Sequence, residues 1–336
     1  AVQHDQAAIW FLGLGTTLGI VVMAIAQGAA VLRHGVTFTF APQFAHPAVK
    51  KLVRLSLWTL GYVAANQVAL VVIKNLASPG SGGVDAYSKA FVLLQLPHGL
   101  LAVSIATTFV PDLARMFLRG DHQQFSLLMA NGIRLTALFT IPASCGLWVM
   151  SKPIIGLLFQ HGNFSAAATA NTARALSGLA IGLAGFSIYL FVLRGFYARN
   201  DTRTPFFINV GENAINIVLA IVLVDRHGVF GLGLSFSIAY LVSAIVALLI
   251  LESTEVDIKL TVLAFNIVRI AIAAGAMTCV VWFSIRHIGS EAGIGSLTRV
   301  IAGTLIGAAT YAVALSALGE KTMRDYLSSK ITKSSR

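Results

Sequence analysis

Charge is what this sequence has least of. Only 11% of its 336 residues are Asp, Glu, Lys or Arg, and 57% are hydrophobic. A soluble domain carries about 25% charged residues. So small a supply cannot cover a water-facing surface, so lipid must be the solvent for much of the chain. Cysteine is almost absent. Cys145 and Cys279 both fall inside apolar runs. That excludes a disulfide framework and reads as two small buried apolar side chains. No HExxH, GxSxG or Walker spacing occurs, and no zinc or haem pattern, so no enzyme activity is expected. The net charge of +11 would point to nucleic acid in a soluble protein. Here the basic residues sit in short gaps between apolar runs, which points to membrane orientation, and no nucleic-acid partner is expected. The chain opens on Ala1 with no signal-peptide pattern. Residue 1 is expected not to be the true start of the gene product.

What the sequence has in quantity is long apolar runs. A membrane-crossing helix needs about 20 such residues, and about nine runs qualify. They are 7–32, 52–77, 85–110, 125–150, 172–196, 205–224, 229–251, 262–285 and 297–318. They are too long and too continuously apolar for the alternating strands of a barrel. Backbone groups in lipid must be satisfied within each segment, so the fold class is an all-α, polytopic membrane protein.

The gaps alternate in charge. Arg33, Lys50, Lys51, Arg54, Arg115, Arg119, Arg199, Arg203, Lys259 and the tail from Lys321 fall on one side. The positive-inside rule makes that side cytoplasmic, which leaves the C-terminus inside. Composition suggests three parts. Residues 1–47 hold the first span and a polar linker, Thr37 to Pro47. Residues 48–255 hold six spans, ending at the charged break Glu252 to Asp257. Residues 256–336 hold two more spans and a basic tail.

Polar side chains inside spans are costly unless they face protein or water. The second span carries Thr59, Asn66, Gln67 and Lys74. Gln67 and Lys74 lie on one stripe of a helix, with Asn66 beside it. The third has Asp85, Lys89 and Gln95. The sixth has Asn209, Glu212, Asn213 and Asn216 at i, i+3, i+4 and i+7, which is one helix face. These faces either line a water-filled cavity or serve as interhelical hydrogen-bonding glue. Lys89 and Lys74 favour the cavity, although a lysine near a helix end can snorkel. His98 reads as a proton site or as a hydrogen-bonded packing histidine. Pro97, with Gly99 two residues on, is expected to bend the third span.

Three segments carry a resemblance. Gln95-Leu96-Pro97-His98-Gly99-Leu100-Leu101-Ala102-Val103-Ser104, with Thr107 and Val110-Pro111-Asp112, is one. Leu157-Leu158-Phe159-Gln160-His161-Gly162-Asn163-Phe164-Ser165 is the second, and Gly195 to Pro205 is the third. In order and spacing they resemble the MurJ (MviN) lipid II flippases of the MOP exporter superfamily, over about residues 7 to 320. The resemblance implies two six-helix lobes plus two extra helices. This chain would hold the last helix of the first lobe, a MATE-like second lobe and the extra pair.

The resemblance also implies function. The family moves the undecaprenyl-pyrophosphate-linked peptidoglycan precursor, lipid II, from the inner to the outer leaflet of the bacterial plasma membrane. Alternating access of the lobes around a cationic cavity is the implied mechanism. The implied partners are lipid II, membrane lipids, the missing N-terminal lobe and cell-division or cell-wall synthesis proteins. The expected cavity residues are Lys89, Lys74, Gln67, Asn66, Gln95, Asn213 and Glu212. Where members often carry an arginine this chain has an apolar residue near Val92, with Lys89 a turn earlier. Ala220 stands where some members carry an acid of a sodium site, which speaks against sodium there, and no cofactor is expected. The rival readings are another MOP exporter, for polysaccharide-lipid or drugs, and a non-transporting scaffold for cell-wall assembly.

Overall fold

A computed structural model of the chain describes residues 6–33, 46–77, 81–254, 257–289 and 294–319. All of its regular elements are helices. The chain divides into two compact units, Ala1–Leu52 and Val53–Arg336. The first contains α1 (Gln6–Arg33) and the opening of α2 (Pro47–Leu76). Along α1 the large apolar side chains, such as Trp10, Phe11 and Ile25, are exposed. Pro47 opens α2, a position where its missing N–H costs nothing. Most of the expected polar linker falls outside the described residues, as does the basic tail from Lys321.

The second unit continues α2 and adds ten helices and one π-helical turn. In order these are α3 (Gly83–Pro97), the π turn His98–Val103, α4 (Ser104–Leu118), α5 (His122–Val149) and α6 (Ser151–Phe159). Then follow α7 (Ala166–Ala180), α8 (Leu183–Ala198), α9 (Arg203–His227), α10 (Val229–Glu252), α11 (Leu260–Ile285) and α12 (Ile294–Ala317). Among the described residues eight helices are long and apolar enough to cross a membrane, and α7 with α8 makes a ninth if taken as one bent span. This matches the expected set of spans.

Pro97 leaves the third span unbroken. Pro97 removes a backbone donor and crowds the carbonyl four residues back. The chain absorbs this with the wider π turn and runs on as one 36-residue span, Gly83–Leu118. The sharp bend, 46°, lies between α7 and α8, where no proline stands. There α10 passes at backbone contact. A Cβ on Gly182 would lie 2.4 Å from Ser237 Cα, and one on Gly178 would lie 2.5 Å from the Phe230 carbonyl oxygen. Ser237 Oγ donates to the freed Gly178 carbonyl at 2.7 Å. Small residues thus let two backbones meet, as is usual inside membranes.

α10 packs on α7, α8 and α9 and forms the centre of the unit. α11 and α12 pair with each other and reach α5 and α6, and Tyr311 Oη donates to the Leu138 carbonyl at 2.7 Å. Buried hydroxyls such as Thr136 and Thr140 satisfy themselves on carbonyls four residues back. Cys145 is half-buried, but Cys279 is exposed on α11 rather than buried as expected. The Gly195 to Pro205 segment is a cap. Asn200 takes a left-handed φ of 58°, and Asp201 Oδ1 accepts the N–H groups of Arg203 and Thr204 at 3.0 Å. These donors would otherwise be orphans at the start of α9.

Candidate functional site

The polar face expected on the sixth span is real, and it points inward. Asn209, Glu212, Asn213 and Asn216 of α9 are all buried. Their partner across the gap is Asn66 of α2. Asn66 Nδ2 donates to the Tyr62 carbonyl at 3.0 Å and to Asn209 Oδ1 at 3.4 Å. Asn66 Oδ1 accepts from Asn209 Nδ2 and from Asn213 Nδ2, both at 3.3 Å. Asn209 Nδ2 also donates to Glu212 Oε2 at 3.4 Å, and Asn213 Nδ2 to the Asn209 carbonyl at 2.9 Å. Farther along, Ser235 Oγ of α10 donates to Asn216 Oδ1 at 3.0 Å. Amides with paired donors and acceptors can cross-link two helices in lipid without leaving either side unsatisfied.

A cavity of about 190 Å³ lies beside this contact. α2 contributes Asn66, Gln67, Leu70 and Ile73, and α9 contributes Glu212, Asn213 and Asn216. Tyr87 and Phe91 of α3 and Phe236 and Tyr240 of α10 complete the wall. The structure shows the interhelical hydrogen bonding weighed on sequence grounds, and a cavity beside it. Asn66, Asn209 and Asn213 tie the helices, and several of the same residues line a cavity. Glu212 is the exception to full pairing. It is 1% exposed, and its Oε1 is buried with no hydrogen-bond partner.

The aromatic wall was missed by the sequence reading. Its signal was present in two i, i+4 pairs, Tyr87 with Phe91 and Phe236 with Tyr240. Phe91 meets Phe236 edge-on at 5.7 Å, and Phe236 meets Tyr240 at 4.5 Å.

Of the residues expected at the site, the structure brings Asn66, Gln67, Glu212 and Asn213 together. Lys89, Lys74 and Gln95 do not line this cavity. Lys89 is ion-paired with Asp85 one turn earlier and lies 5.3 Å from the centre of the Phe164 ring. Lys74 is exposed in the last turn of α2, and Gln95 is exposed on α3. His98 has its Nδ1 3.0 Å from Ser187 Oγ and its ring 4.5 Å from Phe186, so it packs the π turn onto α8. No cluster of three His, Cys, Asp or Glu able to hold a metal occurs among the described residues.

A second cavity, of about 540 Å³, is apolar. Leu93, Leu100, Pro142, Met150, Met277 and Gly307 are in its wall, so it lies between the third span, α5 and the α11–α12 pair.

Comparison with known proteins gives a consistent result. The sequence profile of the family described as "Lipid II flippase MurJ" matches residues 1–303. A probable lipid II flippase MurJ of Rhizobium meliloti is 31% identical over 274 residues, 80% of this chain and 50% of that protein. The lipid II flippase MurJ of Burkholderia cenocepacia is 31% identical over 194 residues, 57% of this chain and 38% of that protein. The chain thus spans about half the length or less of these curated relatives. Among solved structures, a lipid II flippase MurJ in an inward closed conformation aligns with a TM-score of 0.69 at 24% identity, covering 92% of this chain and 61% of that one. An outward-facing multidrug resistance MATE transporter of the MOP superfamily aligns with a TM-score of 0.55 at 16% identity, covering 79% of this chain and 64% of that one. These two likenesses show a MOP-type helical fold. By its profile match across most of its length, the chain belongs to the MurJ family of lipid II flippases.

Proposed function

We propose that this chain forms the second lobe and extra helix pair of a lipid II flippase in the bacterial plasma membrane. It moves the precursor from the inner to the outer leaflet by alternating access and performs no chemical conversion. The observation that carries this is the presence, in one family member, of two cavities that differ in lining, one with amide and carboxyl groups among its apolar and aromatic side chains and one almost wholly hydrocarbon. A polyprenyl-linked pyrophosphate has a long apolar tail and a polar, anionic head. The apolar cavity suits the tail. The polar wall of Asn66, Gln67, Glu212 and Asn213 suits the peptide and sugar groups of the head. Lys89, Lys74 and Gln95 lie outside that wall, and in this proposal the two lysines supply the cations that meet a pyrophosphate, Lys89 by exchanging its Asp85 partner. No cofactor takes part in this account, and Ala220 leaves no acid at the position some relatives use for sodium.

In this reading Arg199 and the tail after Lys321 face the cytoplasm, which the distribution of basic loops supports. Cysteine labelling in intact cells tests this, and reaction of residue 199 with an impermeant reagent from outside would overturn the orientation. Lys89→Ala in a cell dependent on this flippase is expected to abolish growth at unchanged protein level, and Lys89→Arg to be tolerated because charge is what matters there. Alternating access needs a second body to rock against. The 336-residue chain alone is therefore expected not to flip lipid II in a reconstituted leaflet-accessibility assay, and supplying a first lobe is expected to restore flipping. Transport by the chain alone would replace the two-lobe account with a self-associating one.

A further inference from the structure

Glu212 is a carboxyl in the middle of a membrane helix with too few partners for a carboxylate. One oxygen accepts a single long hydrogen bond, 3.4 Å, from Asn209 Nδ2. The other has no partner at all. Among the described residues no basic side chain pairs with either oxygen, and the ion pairs Lys89–Asp85 and Arg115–Asp112 lie elsewhere. The titratable groups that face it are phenols: Tyr62 of α2, Tyr87 of α3, Tyr189 of α8 and Tyr240 of α10. A buried charge without a counter-charge does not persist in such surroundings, so the group must carry a cation or a proton.

The donor set decides between the two. A metal ion would need several free oxygens. Asn66 Oδ1 already accepts two hydrogen bonds, and Asn209 Oδ1 and Asn216 Oδ1 accept one each. Among the described residues Glu212 Oε1 is the buried carboxyl oxygen left without a hydrogen-bond partner, and a single proton satisfies it. The residue also lines a cavity whose rim includes the exposed side chains of Gln67 and Leu70. We propose that the Glu212 carboxyl is a proton site, loaded and unloaded from the polar cavity.

The proton arrives from water in the cavity, forms an O–H bond on the carboxyl, and returns to water by the same route. The terminal torsion of glutamate is soft, so either oxygen can be turned toward the cavity. Once the proton leaves, the carboxylate requires water or a cation beside it. Deprotonation and hydration of the cavity are then linked, and each favours the other. This would couple proton occupancy to the gap between α2 and α9, whatever lipid the protein moves.

Infrared spectroscopy of the whole chain in lipid nanodiscs tests it. At neutral pH the wild type should show the carbonyl stretch of a protonated carboxylic acid, which shifts in D2O and disappears as the pH is raised. The band should be lost in Glu212→Gln. If that variant does not fold, carboxyl-13C glutamate in the wild type should shift the same band. Absence of a protonated glutamate band at neutral pH would overturn the proposal, as would a band that does not respond to D2O. Loss of the band on replacing choline by sodium at fixed pH would make an alkali ion the ligand and overturn it as well.

Discussion

Two polar clusters sit inside spans of the second unit. At the start of α3, Lys89 pairs with Asp85 on the same helix and lies over Phe164, with its side chain 30% exposed and that of Asp85 61% exposed. At the α2–α9 contact, Asn66 bonds to two asparagines of another helix, and Glu212 beside them is 1% exposed with an orphan oxygen. By residue type the lysine is the more conspicuous group. By surroundings the glutamate is, because nothing local satisfies it. The rule that an intramembrane ionisable residue marks function applies with most force where the residue has no partner of its own.

The comparison can be broken by substitution. Asn66→Leu should have the largest effect. It removes the cross-links to α9 and leaves the Asn209 and Asn213 amides buried without them. The expected loss is about 1–3 kcal/mol of stability, above the average of about 0.6 kcal/mol for one interhelical hydrogen bond in a bilayer. Unfolding in mixed micelles measures it, and a change near zero would mean that water already supplies those amides. Glu212→Leu should act in the opposite direction. It removes an unsatisfied buried carboxyl, so stability should rise by roughly 1 kcal/mol while flipping by the assembled protein is lost. Ser235→Ala leaves Asn216 Oδ1 without its donor and should cost about 0.5–1.5 kcal/mol. Lys89→Met should change stability by no more than about 0.5 kcal/mol, the worth of a partly exposed i, i+4 pair. A larger loss there would make Lys89 a structural residue and remove its proposed role near the head group.

Much of this was legible in the sequence, for physical reasons. Spans announce themselves because lipid demands long apolar runs. The α9 face was readable because a 3.6-residue period places Asn209, Glu212, Asn213 and Asn216 on one stripe. Asn66 stood out as an amide in an apolar run. The positions of Lys89 and Lys74 outside the cavity wall were not legible, because a stripe gives a direction on a helix but not the neighbour it meets. Asp85 stands four residues before Lys89, so their pairing was in the spacing, and reading the two residues separately hid it. The bend at Ile181–Gly182 was hidden for another reason. It coincides with close approach of α10 at Gly178 and Gly182, and glycines in an apolar run do not by themselves say which neighbour will meet them. The aromatic wall was hidden because phenylalanine and tyrosine in an apolar run are ordinary until their partners are known.

The most direct test asks whether the α2–α9 face is wet. In a background with Cys145 and Cys279 replaced by serine, a cysteine is placed at Gln67, on the cavity rim, or at Ile272, exposed in the middle of α11. Each is reconstituted and treated with a charged, membrane-impermeant maleimide. Gln67→Cys should be labelled and Ile272→Cys should not. Labelling of neither, or of both at the same rate, would contradict a water-filled polar cavity and leave the Asn66 network as packing alone.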